Sequence, residues 1–159
     1  MKTVIYLFFI TALIASCNTE AEKEAFLIPE GYTGTVAVLF DQENGEPKEY
    51  EDDTRLYRIP TNGVLYTQFS RVTGNLNQKF YYVSSSGEKK ELPSLFLPLL
   101  PNTNYDSIKD YALRGFDGKF GKIKYVYFAV GKGFQSDSLA RASHRYMDRV
   151  REIYPDRIK

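Results

Sequence analysis

The sequence predicts a mainly β domain, sandwich-like or barrel-like, with one C-terminal α-helix. Short runs of β-branched and aromatic residues recur through its body, separated by Gly, Pro, Asn and Asp turn signals. Aromatic residues are abundant, 13 Tyr and 11 Phe without Trp, and they concentrate in those runs. Sustained helical periodicity occurs only near the end of the chain.

The first strand is expected at 35–40 (TVAVLF), apolar on both faces and therefore suited to burial inside a sheet. An acidic loop follows at 41–53, with Asn44-Gly45 as its turn pair. Residues 55–59 and 64–69 form two further strands around Pro60-Thr61-Asn62-Gly63, which predicts a hairpin. Residues 79–83 (KFYYV) form a fourth strand, closed by the serines and glycine at 84–87. The apolar run 95–101 (LFLPLLP), beginning at Leu95, carries Pro98 and Pro101, which bar it from a central strand or a helix interior. Exposed, it would be a docking patch, the contact of a larger envelope assembly; a cover over a sheet edge is the better reading. The stretch 102–121 reads as a loop with Asp117-Gly118 as a turn, including one or two helical turns at 105–113. Residues 122–130 (KIKYVYFAV) make the strongest strand, again apolar on both faces at its centre.

Past Gly131-Lys132-Gly133, Ser136 is a natural helix N-cap with Asp137 in the first turn, where both oppose the positive end of the helix dipole. Leu139, Ala142, Tyr146, Val150 and Ile153 then recur on one helical face, and Pro155 ends the run. Arg141, Arg145, Asp148 and Arg149 fall on the other faces.

At the other end of the chain, Lys2 precedes an apolar run at 4–14, the layout of a secretory signal. The run is far short of the ~20 residues a membrane-spanning helix needs. It ends at Ile14-Ala15-Ser16-Cys17, where Cys17 is the only cysteine. This segment resembles the lipobox of bacterial lipoproteins. The resemblance implies diacylglycerol on the Cys17 sulfur, cleavage after Ser16 and acylation of the new amino end. Ordinary secretory cleavage would leave an odd thiol in an oxidising compartment; lipidation accounts for the cysteine.

The expected organisation is a signal peptide at 1–16, the lipidated cysteine with a flexible acidic tether at 17–25, and one globular domain at 26–159. Its partner is then the membrane, through lipid on Cys17, in the cell envelope and in particular the outer membrane. Glu20, Glu22 and Glu24 match only loosely the acidic surface-export signals of some Gram-negative lineages, so the periplasmic and surface faces both stay open.

About 134 residues suffice for one core without disulfides or metal. Lys2 is the only charge lost with residues 1–16, so the remaining Lys and Arg balance the 20 Asp and Glu. No global basic field points to nucleic acid.

The block 26–34 (FLIPEGYTG) and the following strand resemble the opening of an uncharacterised bacterial domain family whose members are often lipoproteins. Tyr57-Arg58-Ile59-Pro60 and Gly63-Val64-Leu65 resemble that family's next segment, and Val130-Gly131 its closing strand. The resemblance implies a small β domain and supplies no catalytic or binding residues. Physically, Pro29, Gly31 and Gly34 can enforce a tight bend over which Tyr32 packs its ring.

Candidate chemistry is sparse. His144, the only histidine, lies mid-helix about 100° from its neighbour Ser143, so the two are poorly placed to pair. Asp41, Glu43, Asn44 and Glu46 lack the order and spacing of a calcium loop. Gly131-Lys132-Gly133 lacks the rest of a phosphate-binding loop. Tyr81, Tyr82, Tyr125 and Tyr127 offer an aromatic platform for sugar or peptide, or ordinary core packing. Asp106-Ser107-Ile108 and Asp137-Ser138-Leu139 look like short bacterial O-glycosylation sites, a match that arises readily by chance. No catalytic residue, metal ligand or cofactor is assigned; the only assigned site is Cys17. The expected function is a non-enzymatic binding or assembly module with an envelope protein or glycan as partner. The alternative is an envelope hydrolase of glycans or peptides that works through two facing carboxylates.

Overall fold

The computed structural model describes residues 22–72, 77–96 and 110–132. Among these residues ten strands form two five-stranded sheets. The first sheet contains β1 (Lys23–Pro29), β3 (Glu49–Glu51), β4 (Thr54–Arg58), β6 (Asn77–Val83) and β7 (Lys89–Leu92) in the order β3-β4-β1-β6-β7. The second contains β2 (Gly34–Leu39), β5 (Val64–Tyr66), β8 (Ser94–Phe96), β9 (Tyr111–Phe120) and β10 (Ile123–Gly131) in the order β5-β2-β10-β9-β8.

The sheets pack as a sandwich, and alternation along each strand decides what meets between them. Phe26 on β1 stands beside Tyr57 on β4 and Phe80 on β6, its in-register neighbours, with ring centroids 4.9 and 5.0 Å away. Phe128 from β10 meets Phe26 and Phe80 edge-on at 5.1 and 4.9 Å, joining the two layers. Such ring pairs each add about 0.5–1.5 kcal/mol beyond the area they bury. Val36, Val38, Leu65, Ala112, Val126 and Val130 add to the second sheet's share of this core.

The strands expected at 35–40, 79–83 and 122–130 appear as β2, β6 and β10. The expected hairpin does not form. β4 belongs to the first sheet and β5 to the second, so Pro60, Thr61, Asn62 and Gly63 carry the chain between layers. Local turn chemistry looks the same in both cases; the partner strands, β1 for β4 and β2 for β5, lie elsewhere in the chain. The loop expected at 102–121 is also corrected, because β9 begins at Tyr111 and continues to Phe120. Asp117-Gly118 lies within the ladder, and the β9–β10 turn is at Gly121 and Lys122, with Gly121 at φ 57°. Gly118 pairs with Tyr125, whose ring occupies the space a Cβ on Gly118 would need.

Lys23, Glu24 and Ala25, expected to end the tether, open β1, the central strand of its sheet. In the acidic stretch, Asn44-Gly45 closes a turn through the Gly45 amide to the Gln42 carbonyl at 3.0 Å. The hairpin turn in that stretch is Asp52-Asp53, linking β3 to β4, with both residues at positive φ (46° and 60°). A type I′ two-residue hairpin requires that geometry, and aspartate tolerates it. Leu95 and Phe96, the start of the run 95–101, lie in β8, an edge strand paired in parallel with β9, and the rest of the run lies outside the described residues. The expected C-terminal helix, His144, both short glycosylation-like matches, Cys17 and the signal segment lie outside the described residues.

Candidate functional site

The FLIPEGYTG block forms the corner where the chain passes from β1 to β2. Gly31 sits at φ 77°, and the Tyr32 hydroxyl donates to the Thr35 carbonyl at 2.5 Å, folding its ring back over the bend. Tyr82 on β6 donates its hydroxyl to the Tyr32 carbonyl at 2.8 Å. The second family-like segment meets this corner. Gly63, at φ 77°, is packed so that an added Cβ would stand 2.1 Å from the Tyr32 hydroxyl and 2.5 Å from the Thr35 carbonyl oxygen. The Gly63 carbonyl also accepts from the Ala37 amide at 2.9 Å. These residues build a corner and present no reactive group. Burial pushes the phenols of Tyr32 and Tyr82 above their ordinary range, so both act as neutral donors.

A polar cluster closes one end of the inter-sheet core. Glu24 is the one buried carboxylate among the described residues, 1% exposed. Its Oε1 accepts from the Tyr57 hydroxyl at 3.0 Å and its Oε2 from the Gln78 amide at 2.7 Å. Arg71, its side chain also buried, lies between acids, 3.8 Å from Glu24 and 3.6 Å from Asp117. Its guanidinium sits over the Phe40 ring at 5.5 Å. Burial, with the adjacent Glu24 charge and hydrogen bond, drives the Tyr57 phenol far above its normal range. Register explains the convergence: Glu24 pairs with Arg55 on one side and Gln78 on the other, all three on the core-facing side. A cavity of about 40 Å³ beside Arg71 and Gln78 is water-sized. Both carboxylate oxygens of Glu24 are committed to protein donors, an arrangement that orders strands rather than transferring protons.

Among the described residues, a cleft of about 700 Å³ opens at one edge of the sandwich, between β4 of one sheet and β5 of the other. Leu56, Ile59, Pro60, Val64 and Leu65 give it an apolar floor. The segment 44–49 forms its outer wall and is tied to β5 by the Glu46 amide, which donates to the Tyr66 carbonyl at 2.7 Å. Glu49 and Arg58 on the rim are joined by two hydrogen bonds of 2.8 and 2.6 Å. That guanidinium holds the Glu49 carboxyl below its ordinary range. Glu46 and Lys48 add a charge of each sign to the rim. The size is within that of small-ligand sites.

The other sequence candidates disperse. Asp41, from the acidic loop, accepts from the Ser70 hydroxyl at 2.5 Å and pairs with Lys124 at 3.5 Å. Among the described residues no three His, Cys, Asp or Glu side chains come together as a metal site would require. Tyr81 and Tyr82 point to opposite faces of the first sheet, while Tyr125 and Tyr127 share a face of the second, so the four make no common platform. Gly131 ends β10 in register with Tyr111 rather than opening a loop. Sequence reasoning missed both the Glu24 cluster and the cleft: the hydrogen-bond partners of Glu24 lie 33 and 54 positions away, and the cleft is lined by separate segments on two different sheets.

No curated protein matches this chain at a significant level. A crystal structure from Bacillus anthracis, described as that of a candidate lipoprotein, shares the fold with a TM-score of 0.55 and 14% identity. The match covers 84% of this chain and 96% of the other. The model of a family of unknown function, DUF6843, matches residues 20–133, a stretch that contains every strand of the sandwich and both corner-forming segments. The chain belongs to that family.

Proposed function

We propose that this protein is a lipid-anchored, non-enzymatic binding domain of the cell envelope, held by Cys17, with the edge cleft as its ligand site. The observation that carries this reading is the contrast between an apolar-floored cleft and a buried acid whose oxygens are both committed. Two facing, available carboxylates are what the hydrolase alternative requires. Glu24 is instead saturated, and Glu49 on the cleft rim is locked to Arg58. The description of the Bacillus anthracis protein as a candidate lipoprotein supports the anchor. So does the fold: β1 starts six residues after Cys17, a reach of roughly 20 Å when extended, and a pull on the anchor is taken by the middle of a sheet.

The cleft suits a short extended peptide better than a glycan. Its floor is aliphatic, its walls carry backbone and paired charges, and Tyr66 is its only aromatic lining residue, whereas sugars favour broad aromatic platforms. Membrane fractionation tests the anchor. Cys17→Ala should abolish lipid labelling and move the protein to the soluble fraction; unchanged membrane retention refutes it.

A further inference from the structure

The cleft between β4 and β5 is bordered by two strand edges with unmade backbone hydrogen bonds. On β4, Arg58 stands in parallel register with Leu27, and the Ile59 amide donates to the Leu27 carbonyl at 2.8 Å. Alternation therefore turns the Arg58 N–H and C=O the other way, to the side where β3 lies. The β3–β4 ladder stops short of them, at Glu49 opposite Leu56. Continued in that register, Pro47 would face Arg58, and proline has no N–H to carry the ladder on. Among the described residues the Arg58 N–H and C=O have no hydrogen-bond partner. On β5, Val64 stands in parallel register with Ala37, whose amide donates to the Gly63 carbonyl at 2.9 Å. The Val64 N–H and C=O are thus turned to the outer side of that edge strand. Asn62 Oδ1 accepts the N–H at 3.0 Å, and the C=O has no partner among the described residues. Arg58 and Val64 both line the cleft.

We propose that the cleft holds its ligand by the main chain, as one extended strand that closes this edge of the sandwich by pairing with Arg58 and Val64. This rests on the reading of the cleft as a peptide site and says how the peptide is recognised. Packed sheets lie ~10 Å apart and paired strands ~4.8 Å apart, so a strand between the two edges reaches both. The chain itself already crosses between them. Glu46 pairs with the second sheet, its amide donating to the Tyr66 carbonyl at 2.7 Å and its carbonyl accepting from the Gln68 amide at 3.0 Å. Glu49 then joins β4 in the first sheet. In an extended ligand, successive residues direct their N–H and C=O to opposite sides. One ligand residue donates to the Arg58 carbonyl and accepts from the Arg58 amide, while its neighbour donates to the Val64 carbonyl. Ligand side chains alternate as well, one set toward the floor of Leu56, Ile59 and Leu65 and the other toward solvent. The partner class is an extended peptide segment with aliphatic residues at alternate positions and no proline at the two paired ones.

Amide NMR on the chain from residue 17, carrying Cys17→Ser, tests this with the peptide acetyl-Thr-Val-Thr-Val-Thr-amide as probe. The probe should move the Arg58 amide resonance downfield and slow its hydrogen exchange. Because alternate residues face opposite edges, N-methylation of both valines removes one of the two donated bonds in either register. It should weaken binding by about 10-fold or more. Equal affinity of the methylated peptide, with shifts at Leu56, Ile59 and Leu65, would overturn main-chain pairing and leave the cleft a peptide site. An Arg58 amide that stays unmoved at millimolar probe overturns the pairing too, since main-chain recognition tolerates many sequences. A crosslink from position 48 in cells would then show that the cleft reading stands without it.

Discussion

The end of the sandwich around Glu24 and the cleft between β4 and β5 both gather polar residues, yet they are built on opposite terms. At the Glu24 end the carboxylate is matched by Tyr57 and Gln78, while Arg71 stands within ion-pair distance of Glu24 and Asp117 with its Nε and Nη1 making no hydrogen bond among the described residues. In the cleft the floor is apolar, the matched pair Glu49–Arg58 stands on the rim, and the volume is open. Matched buried polarity specifies how strands assemble; open apolar concavity is where free energy of binding is still to be gained. A titratable group in a protein of unknown activity invites a catalytic reading, and here the partners of Glu24 argue for architecture.

The comparison breaks most sharply at Glu24. Glu24→Ala strands a buried guanidinium and two hydrogen-bonding groups, and should cost about 3–5 kcal/mol in denaturant unfolding. If stability hardly changes, the cluster is not the structural unit described. Gly63→Ala should come next, at about 2–3 kcal/mol, since it combines a positive φ with a clash against Tyr32 and Thr35. Circular dichroism melts of that variant check whether the corner holds the two sheets together. At the cleft the order inverts. Lys48→Glu should alter stability by no more than about 0.5 kcal/mol, as an exposed substitution, while changing ligand capture.

The smallest effect belongs to the rim pair. The Glu49 carboxyl is held low by Arg58, so its contribution is present above the unfolded-state carboxylate range. It is lost as pH falls through the depressed folded-state value. Both side chains are substantially exposed, so the pair is screened. Urea midpoints from neutral to acid pH should therefore differ between native protein and Glu49→Gln only slightly, and only in that direction.

What could be read from sequence follows the range of the forces involved. Strands β2, β6 and β10 were legible because their β-branched and aromatic runs suit burial on their own. The Tyr32 corner was legible because proline and glycine act locally. Strand β1 was hidden by Lys23 and Glu24, whose polarity resembles a tether until Tyr57, Arg71 and Gln78 are brought to it. Strand β9 was hidden by Asp117-Gly118, read as a turn, although Tyr125 covers that glycine from the neighbouring strand. The false hairpin shows the same limit, because Pro60 to Gly63 make a turn whether it joins two strands or two sheets. Neither the cleft nor the Glu24 cluster is local in sequence, so neither leaves a motif.

The central claim, that the cleft and not the Glu24 end is the working surface, is tested most directly by site-specific photocrosslinking in cells. A photoreactive residue would replace either Lys48, on the cleft rim, or Asp117, the exposed acid beside Arg71. The account predicts a discrete peptide or protein adduct at position 48 and none at position 117. Adducts at 117 with none at 48 would contradict it.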